Sequence, residues 1–204
     1  LSLVGSEMCI RDSNNTLEII NWEARMEGND RVSSMIEALS TMLEATMDRK
    51  KQQMIPLSEE ISYVEAYCHI IRQRFGEKFQ FEKQIDPKLL QTEVPRLIIQ
   101  PIMENAVEHG LAGRAGKIVL RIYAEADKLK IEIINDGLMT KEDKKKVEDL
   151  LGSGTDSGEQ HSVSLGICNV NKRLQIIYGP DCGLTIKNDK EDCTVSTITV
   201  KLHK

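Results

Sequence analysis

Apolar positions in the first third of the chain recur at helical spacing. From Asn15 onward, Leu17, Ile20 and Ala24 share one face, while Glu18 and Glu23 face away from it. Upstream, LSLVGSEMCIRDS has neither a helical period nor strand alternation, so the first helix is expected to begin near Asn15. In 30–48, Val32, Met35, Leu39, Met42 and Thr46 recur at intervals of three and four, and Ile36 and Leu43 widen the stripe. After the basic linker DRKKQQMIP, a further helix is expected from Ser58, its N-cap, with Glu59 and Glu60 in the first turn. Ile61, Val64, Cys68, Ile71 and Phe75 form its seam, and Gly76 stops it. Seams of this kind pack as core or as helix–helix dimer contacts. Both uses are expected.

The period changes at Lys78, where KFQFEKQI alternates as a strand does. A helix from about Pro95 to His109 follows, with proline in its first turn and Gly110 past its end. Strands at 117–125 and 128–135 flank the tight EADK turn, and a charged helix covers about 140–151. The Gly/Ser-rich stretch 152–162 would suit a lid, or a plain surface loop. A helix at about 166–178 and strands at 183–188 and 194–202 complete an α+β layout, one sheet beneath a few helices.

Composition removes several function classes. Hydrophobic residues make up 40% and charged residues 29%, which is enough apolar content for a core. The net charge of −5, with no Lys/Arg block, argues against nucleic acid as a partner. No apolar run approaches the roughly 18 residues of a membrane span. Cys9, Cys68, Cys168, Cys182 and Cys193 form no CxxC pair and read as reduced packing thiols. His69, His109, His161 and His203 lie too far apart for zinc-ligand spacing.

Three segments carry candidate chemistry. In RLIIQPIMENAVEHG, Gln100, Glu104 and Glu108 form a polar stripe at spacing four on an otherwise apolar helix, with Asn105 beside it. Buried carboxylates and amides need partners. The stripe therefore meets other polar groups or a ligand cavity, and for Glu108 a solvated edge is equally open. Glu104 and Asn105 favour the cavity, because Pro101 disturbs the backbone one turn earlier. In KIEIINDGLMT a strand runs into an Asn-Asp-Gly turn. In SLGICNVNKRLQIIYG, Gly166 is expected to precede a helix whose first amides would receive phosphate oxygens.

In this order the three segments resemble the N-box, G1 box and G2 box of the Bergerat-type ATPase domain. QPIMENAVEHG and NVNKRLQIIYG are similar to LytS/YesM-type sensor histidine kinases, and LSEEISYVEAYCHIIRQRFG resembles the helix joining the two halves of that family. The likeness runs from Asn15 to Lys204. It implies helices of a dimerisation and H-box remnant over 14–76. Over 77–204 it implies an ATP-binding α/β sandwich with a mixed, mainly antiparallel five-stranded sheet. Residues 1–13 look foreign to the family, as a non-native leader would.

The resemblance further implies ATP and Mg²⁺ as cofactors. Asn105 would ligate Mg²⁺, which suits a metal that takes few protein ligands besides phosphate and water. Glu104 would orient or deprotonate a bound water or the acceptor. The aspartate that accepts from the adenine amino group falls on Asn135, with Asp136 as the shifted alternative. Gly137 forms the adjoining turn, Gly166, Ile167 and Asn169 would cradle phosphates, and His109 would lie at the nucleotide. Met139, Ser164 and Glu108 replace two usual glycines and a usual lysine, which predicts weak nucleotide affinity.

The family's H-box approximates PHFLxNTL. Here NTL stands as Asn15, Thr16 and Leu17, but Ile10 and Arg11 occupy the proline and histidine places. A guanidinium stays protonated and cannot attack phosphorus. His69, expected to be solvated, and the other histidines are poor substitutes. The resemblance implies the cytoplasmic part of a bacterial membrane sensor that dimerises and relays phosphate to a response regulator. The alternatives are a degenerate nucleotide-binding or dimerisation module and an anti-sigma-type serine kinase.

Overall fold

A computed structural model describes residues 2–47, 53–111, 115–152, 162–189 and 192–202. Most of the lid stretch, with His161, and also His203 lie outside the described residues. Two helices, α1 (Ser2–Met26) and α2 (Asp30–Met47), form a hairpin. Gly28, at φ 67°, makes the turn, and Asn29 caps α2 by accepting from Val32 N at 3.2 Å. Helix α1 begins well before Asn15, so the expected start is corrected. Extending a formed helix is far easier than nucleating one, and no proline interrupts this stretch. Ile10 and Arg11 therefore lie within α1.

The hairpin buries Ala24, Ser33, Ile36, Ala38 and Ala45. The expected stripe is only partly used. Ile20, Val32 and Leu39 stay exposed beside Ile19, Trp22 and Met26.

Strand β1 (Met54–Pro56) follows, then α3 (Leu57–Phe75). Ser58 is not the N-cap of α3. Pro56 holds that place, and the first amides donate instead to backbone, Leu57 N to Thr92 O at 2.8 Å and Ser58 N to Leu90 O at 2.9 Å. Gly76 ends α3 at φ 60°, as expected. The seam residues Ile61, Val64, Cys68 and Ile71 are buried.

Strands β2 (Phe79–Ile85) and β3 (Glu93–Pro95) precede α4 (Gln100–Ala106), which runs into a π-helical turn at Val107–Leu111. The helix expected from Pro95 is thus shorter. Residues 93–95 are taken by antiparallel pairing with β1, and Arg96 N donates to Gln53 O. Pro101, which lacks an N–H, sits in the first turn of α4.

The remaining elements are β4 (Gly116–Glu125), β5 (Lys128–Asp136), α5 (Lys141–Gly152), α6 (Ser162–Tyr178), β6 (Gly183–Asn188) and β7 (Cys193–Lys201). Thr140 and Asp143 exchange hydrogen bonds as a reciprocal cap on α5, Asp143 N to Thr140 Oγ1 at 3.1 Å and Thr140 N to Asp143 Oδ2 at 3.2 Å.

The main sheet has the order β2-β4-β5-β7-β6, parallel between β2 and β4 and antiparallel elsewhere. This is the mixed, mainly antiparallel five-stranded sheet of the expected α+β fold. Buried positions recur at every second residue through the middle of β4, β5 and β7. Ile118, Leu120 and Ile122 of β4, Leu129, Ile131 and Ile133 of β5, and Ile198 and Val200 of β7 enter one core. Ile102, Met103 and Ala106 of α4, Ile167, Val170 and Leu174 of α6, and the α3 seam complete it. On the alternate positions polar groups pair across strands, as where Tyr123 Oη donates to Glu132 at 2.9 Å.

Candidate functional site

Helix α4 buries Ile102, Met103 and Ala106, which leaves Gln100, Glu104 and Asn105 half-buried along its edge. Gln100 Nε2 donates to Glu104 Oε1 at 2.9 Å, while Gln100 Oε1 is buried without a partner among the described residues. In the π turn Glu108 and His109 are exposed and Gly110 is buried. Burial pushes the Tyr67 hydroxyl of α3 above its usual range, and the charges of Glu104 and Glu108 add to the shift. Both carboxylates therefore act on one flank of α3. His109 contributes to the field at Asp143, whose carboxyl is held low mainly by the Thr140 hydroxyl and amide.

At the end of β5 the inward stripe of Leu129, Ile131 and Ile133 continues into Asn135, which is buried. Asn135 Nδ2 donates to Asp136 O at 3.1 Å. A carbonyl can only accept, so this bond fixes the amide with Oδ1 as its remaining acceptor. Gly110 lies directly against it. A Cβ at position 110 would stand 2.7 Å from Asn135 Nδ2 and 2.9 Å from its Cβ. Only glycine fits there, and the turn after α4 thereby seats on the end of β5.

Asp136 faces away and is exposed, and its Oδ2 accepts from Lys117 N at 2.7 Å. Of the two candidates, Asn135 is the one on the helix-covered face. Gly137 takes φ 101°, and its carbonyl accepts from Thr194 Oγ1 at 2.8 Å. Asn188 then grips Met139 from both sides, accepting from its N–H at 2.9 Å and donating to its carbonyl at 3.0 Å. The backbone at 139 is thus fastened from β6.

Gly166 lies inside α6 rather than ahead of it, which corrects the expected helix start. A Cβ there would meet Pro101 Cβ at 3.4 Å, so the α4–α6 contact runs through this position. The amides of Gly166, Ile167 and Asn169 follow the first four residues of the helix, so they stand where N–H groups donate to carbonyls one turn back. The amides of α6 that have no carbonyl one turn back within the helix are those of its first turn, from Ser162. Ile167 is buried in the core and Asn169 is exposed.

One cluster escapes the sequence reading. Glu60, 1% exposed, accepts from the backbone N–H groups of Leu97, Ile98 (3.0 Å) and Ile99 (3.1 Å). Burial raises its carboxyl above the usual range, against the lowering effect of those three donors. Arg173 of α6 donates to the carbonyls of Arg96 and Leu97, the latter at 3.1 Å. The signal was present. Glu60 stands four residues before Val64 and eight before Cys68, within the apolar seam rather than on a solvated turn. His69 also differs from expectation, being half-buried with Nε2 3.1 Å from Ser34 Oγ of α2.

Residues 14–79 match the family model described as Histidine kinase. Sensor histidine kinase YesM of Bacillus subtilis is 30% identical over 91% of this chain and 30% of its own length. Sensor protein LytS of Oceanobacillus iheyensis is 25% identical over 90% of this chain and 31% of its own. The chain thus spans about a third of the length of these relatives. Among solved structures, the catalytic domain of histidine kinase ThkA aligns with a TM-score of 0.54 at 18% identity, covering 73% of this chain and 95% of that one. ThkA in complex with the response regulator protein TrrA aligns over 100% of this chain and 63% of that one, with a TM-score of 0.54 at 15% identity. Among the described residues no helix is long and apolar enough to cross a membrane.

Proposed function

We propose that this chain, a relative of the LytS/YesM-type sensor histidine kinases, is the part of such a kinase that binds Mg²⁺–ATP for phosphoryl transfer to histidine. The observation that carries this reading is the convergence of α4, the end of β5 and α6. Glu104 and Asn105 line a half-buried edge of α4, Asn135 is inward and locked with Oδ1 as acceptor, and Gly110 leaves no space for a side chain between them.

The donor set fits the ligand. Asn105 offers a hard oxygen ligand of the kind that Mg²⁺ favours. Asn135 Oδ1 suits an amino group on a base, without the charge that an aspartate would add. Mg²⁺–ATP, when bound, would supply the γ-phosphoryl group and offset its charge. Asn105 would hold the metal, and Glu104, oriented by Gln100, would position or accept a proton from the attacking group. Gly137 would keep the turn open beside the base. Gly166, Ile167 and Asn169 would form the α6 wall, and His109 would stand at the rim. Asp136 is the weaker base reader, because its carboxylate is already engaged by Lys117 N.

The rest of the reading is of the same kind. In the intact protein the product would be a phosphohistidine, relayed to a response regulator, with two copies joined through the helical hairpin. That protein would be held at a bacterial membrane by segments outside this sequence, with this part in the cytoplasm. This chain carries Arg11 at the acceptor's place. A degenerate, non-catalytic module is the second reading, favoured by the exposed carboxylate of Glu108 at the rim.

Titration calorimetry with a non-hydrolysable ATP analogue tests the first reading. Binding that requires Mg²⁺ and disappears in Asn105→Ala supports the first. Absence of binding, or binding indifferent to both changes, overturns it.

A further inference from the structure

The turn from Arg96 to Ile99 leads into α4 and is gripped from both sides. Its N–H groups at Leu97, Ile98 and Ile99 converge on the Glu60 carboxylate of α3. Its carbonyls at Arg96 and Leu97 accept from the Arg173 guanidinium of α6. Leu97 sits at φ 56°, a conformation a branched-chain residue holds only when its surroundings impose it. Arg96 adds a third tie, its Nη2 lying 3.5 Å from Glu59 Oε1 on α3. The polar positions of the proposed nucleotide edge, Gln100, Glu104 and Asn105, begin at the residue that follows the turn.

A buried carboxyl group that satisfies three amides is a costly way to end a loop. Those amides precede a helix whose first turn already contains Pro101, so few other local groups can take them. The grip also links three elements with different neighbours. Helix α3 contacts the hairpin, where Arg31 Nε of α2 donates to Gln73 Oε1 at 3.0 Å and Ser34 meets His69. Helix α6 carries Gly166 against Pro101.

We propose that Glu60 and Arg173 are positioning residues that set α4, with Glu104 and Asn105, relative to α3 and α6. Through this clamp α3 and α6 together fix the metal-binding edge of α4. The proposal rests on the Mg²⁺–ATP reading above, and the test separates the two.

Hydrogen exchange and nucleotide affinity are measured together on the full chain, for the wild type, Glu60→Gln, Arg173→Met and Val64→Ala. Val64→Ala loses apolar packing on α3 without touching the clamp. The amides of residues 97–99 should exchange at least tenfold faster in Glu60→Gln and Arg173→Met, with β5 amides unchanged. Mg²⁺–ATP affinity should fall at least tenfold in both variants, while Mg²⁺-free adenosine affinity changes less than twofold. Val64→Ala should shift neither ratio. Unchanged exchange at 97–99, or parallel loss of both affinities, overturns the positioning role. If the wild type binds neither nucleotide nor nucleoside, the functional reading falls, and the exchange result still decides whether the clamp exists.

Discussion

The helical hairpin and the sheet domain use the same residue types to opposite ends. Around the sheet most periodic apolar side chains reach a shared core, from Leu57 on α3 to Val200 on β7, with Leu138, Ile176 and Ile177 left outside. In the hairpin small residues are buried, Ala24, Ala38 and Ala45 among them, while Trp22 and Ile19 are each 63% exposed. A period of three and four therefore specifies a helix in both regions but a finished core in only one. The large apolar residues left outside on α1 and α2 are the material of the dimer contact in the proposed function.

The sharpest way to break this contrast is a pair of truncations. Ile131→Ala removes a fully buried β5 side chain and should cost about 2–5 kcal/mol in urea unfolding. Trp22→Ala should cost the monomer no more than about 0.5 kcal/mol despite the larger side chain. Equal losses would mean that the hairpin is as finished as the sheet.

Next in size is Gly110→Ala, whose Cβ would collide with Asn135. It should lower stability by about 1–3 kcal/mol and weaken nucleotide binding through displaced Asn135. Full stability and affinity would contradict the seating of the π turn on β5. Asn188→Ala, which frees both backbone groups of Met139, should cost about 1–3 kcal/mol by the same assay.

The hairpin's own test is association. Replacing Ile19 and Trp22 with Ser should move the sedimentation profile from dimer to monomer without changing helical circular dichroism. An unaltered profile would remove these residues from the contact.

The smallest effect concerns pH. The Thr140 hydroxyl holds the Asp143 carboxyl below its usual 3.8 in the folded state. Such a group adds stability above the unfolded value and loses it as pH falls through the lower folded one. Amides of the first α5 turn should therefore lose protection as the pH is lowered from 5 through that range, and Asp143→Asn should abolish the dependence.

Much of the fold was legible because its periods are unambiguous. The strands at 79–85, 116–125 and 128–136 alternate, and Gly76 ends a helix in the way its φ requires. What escaped depends on partners distant in sequence. Pro95 looks like a helix start until β1 pairs with residues 93–95, and Ser58 looks like a cap until Leu90 and Thr92 supply carbonyls. The start of α1 was missed for a different reason, since weak local periodicity does not stop a helix already nucleated downstream.

In the candidate site the motif order pointed to α4, the β5 end and α6, which the fold brings together. The choice between Asn135 and Asp136 needed the alternation of β5 and the amide of Lys117. Glu60 was hidden by a local rule. An acid in a first turn suits the helix dipole, and that reading concealed its alignment with Val64 and Cys68.

The proposed function puts a nucleotide site in this chain and Arg11 at the acceptor's place. Incubation with γ-labelled ATP tests it directly, comparing the wild type with a chain carrying Ile10→Pro, Arg11→His, Asp12→Phe, Ser13→Leu and Asn14→Tyr. The account predicts no label on the wild type and acid-labile phosphate on the substituted chain. Label on the wild type, at His69 for instance, or none on a substituted chain that binds Mg²⁺–ATP, would contradict it.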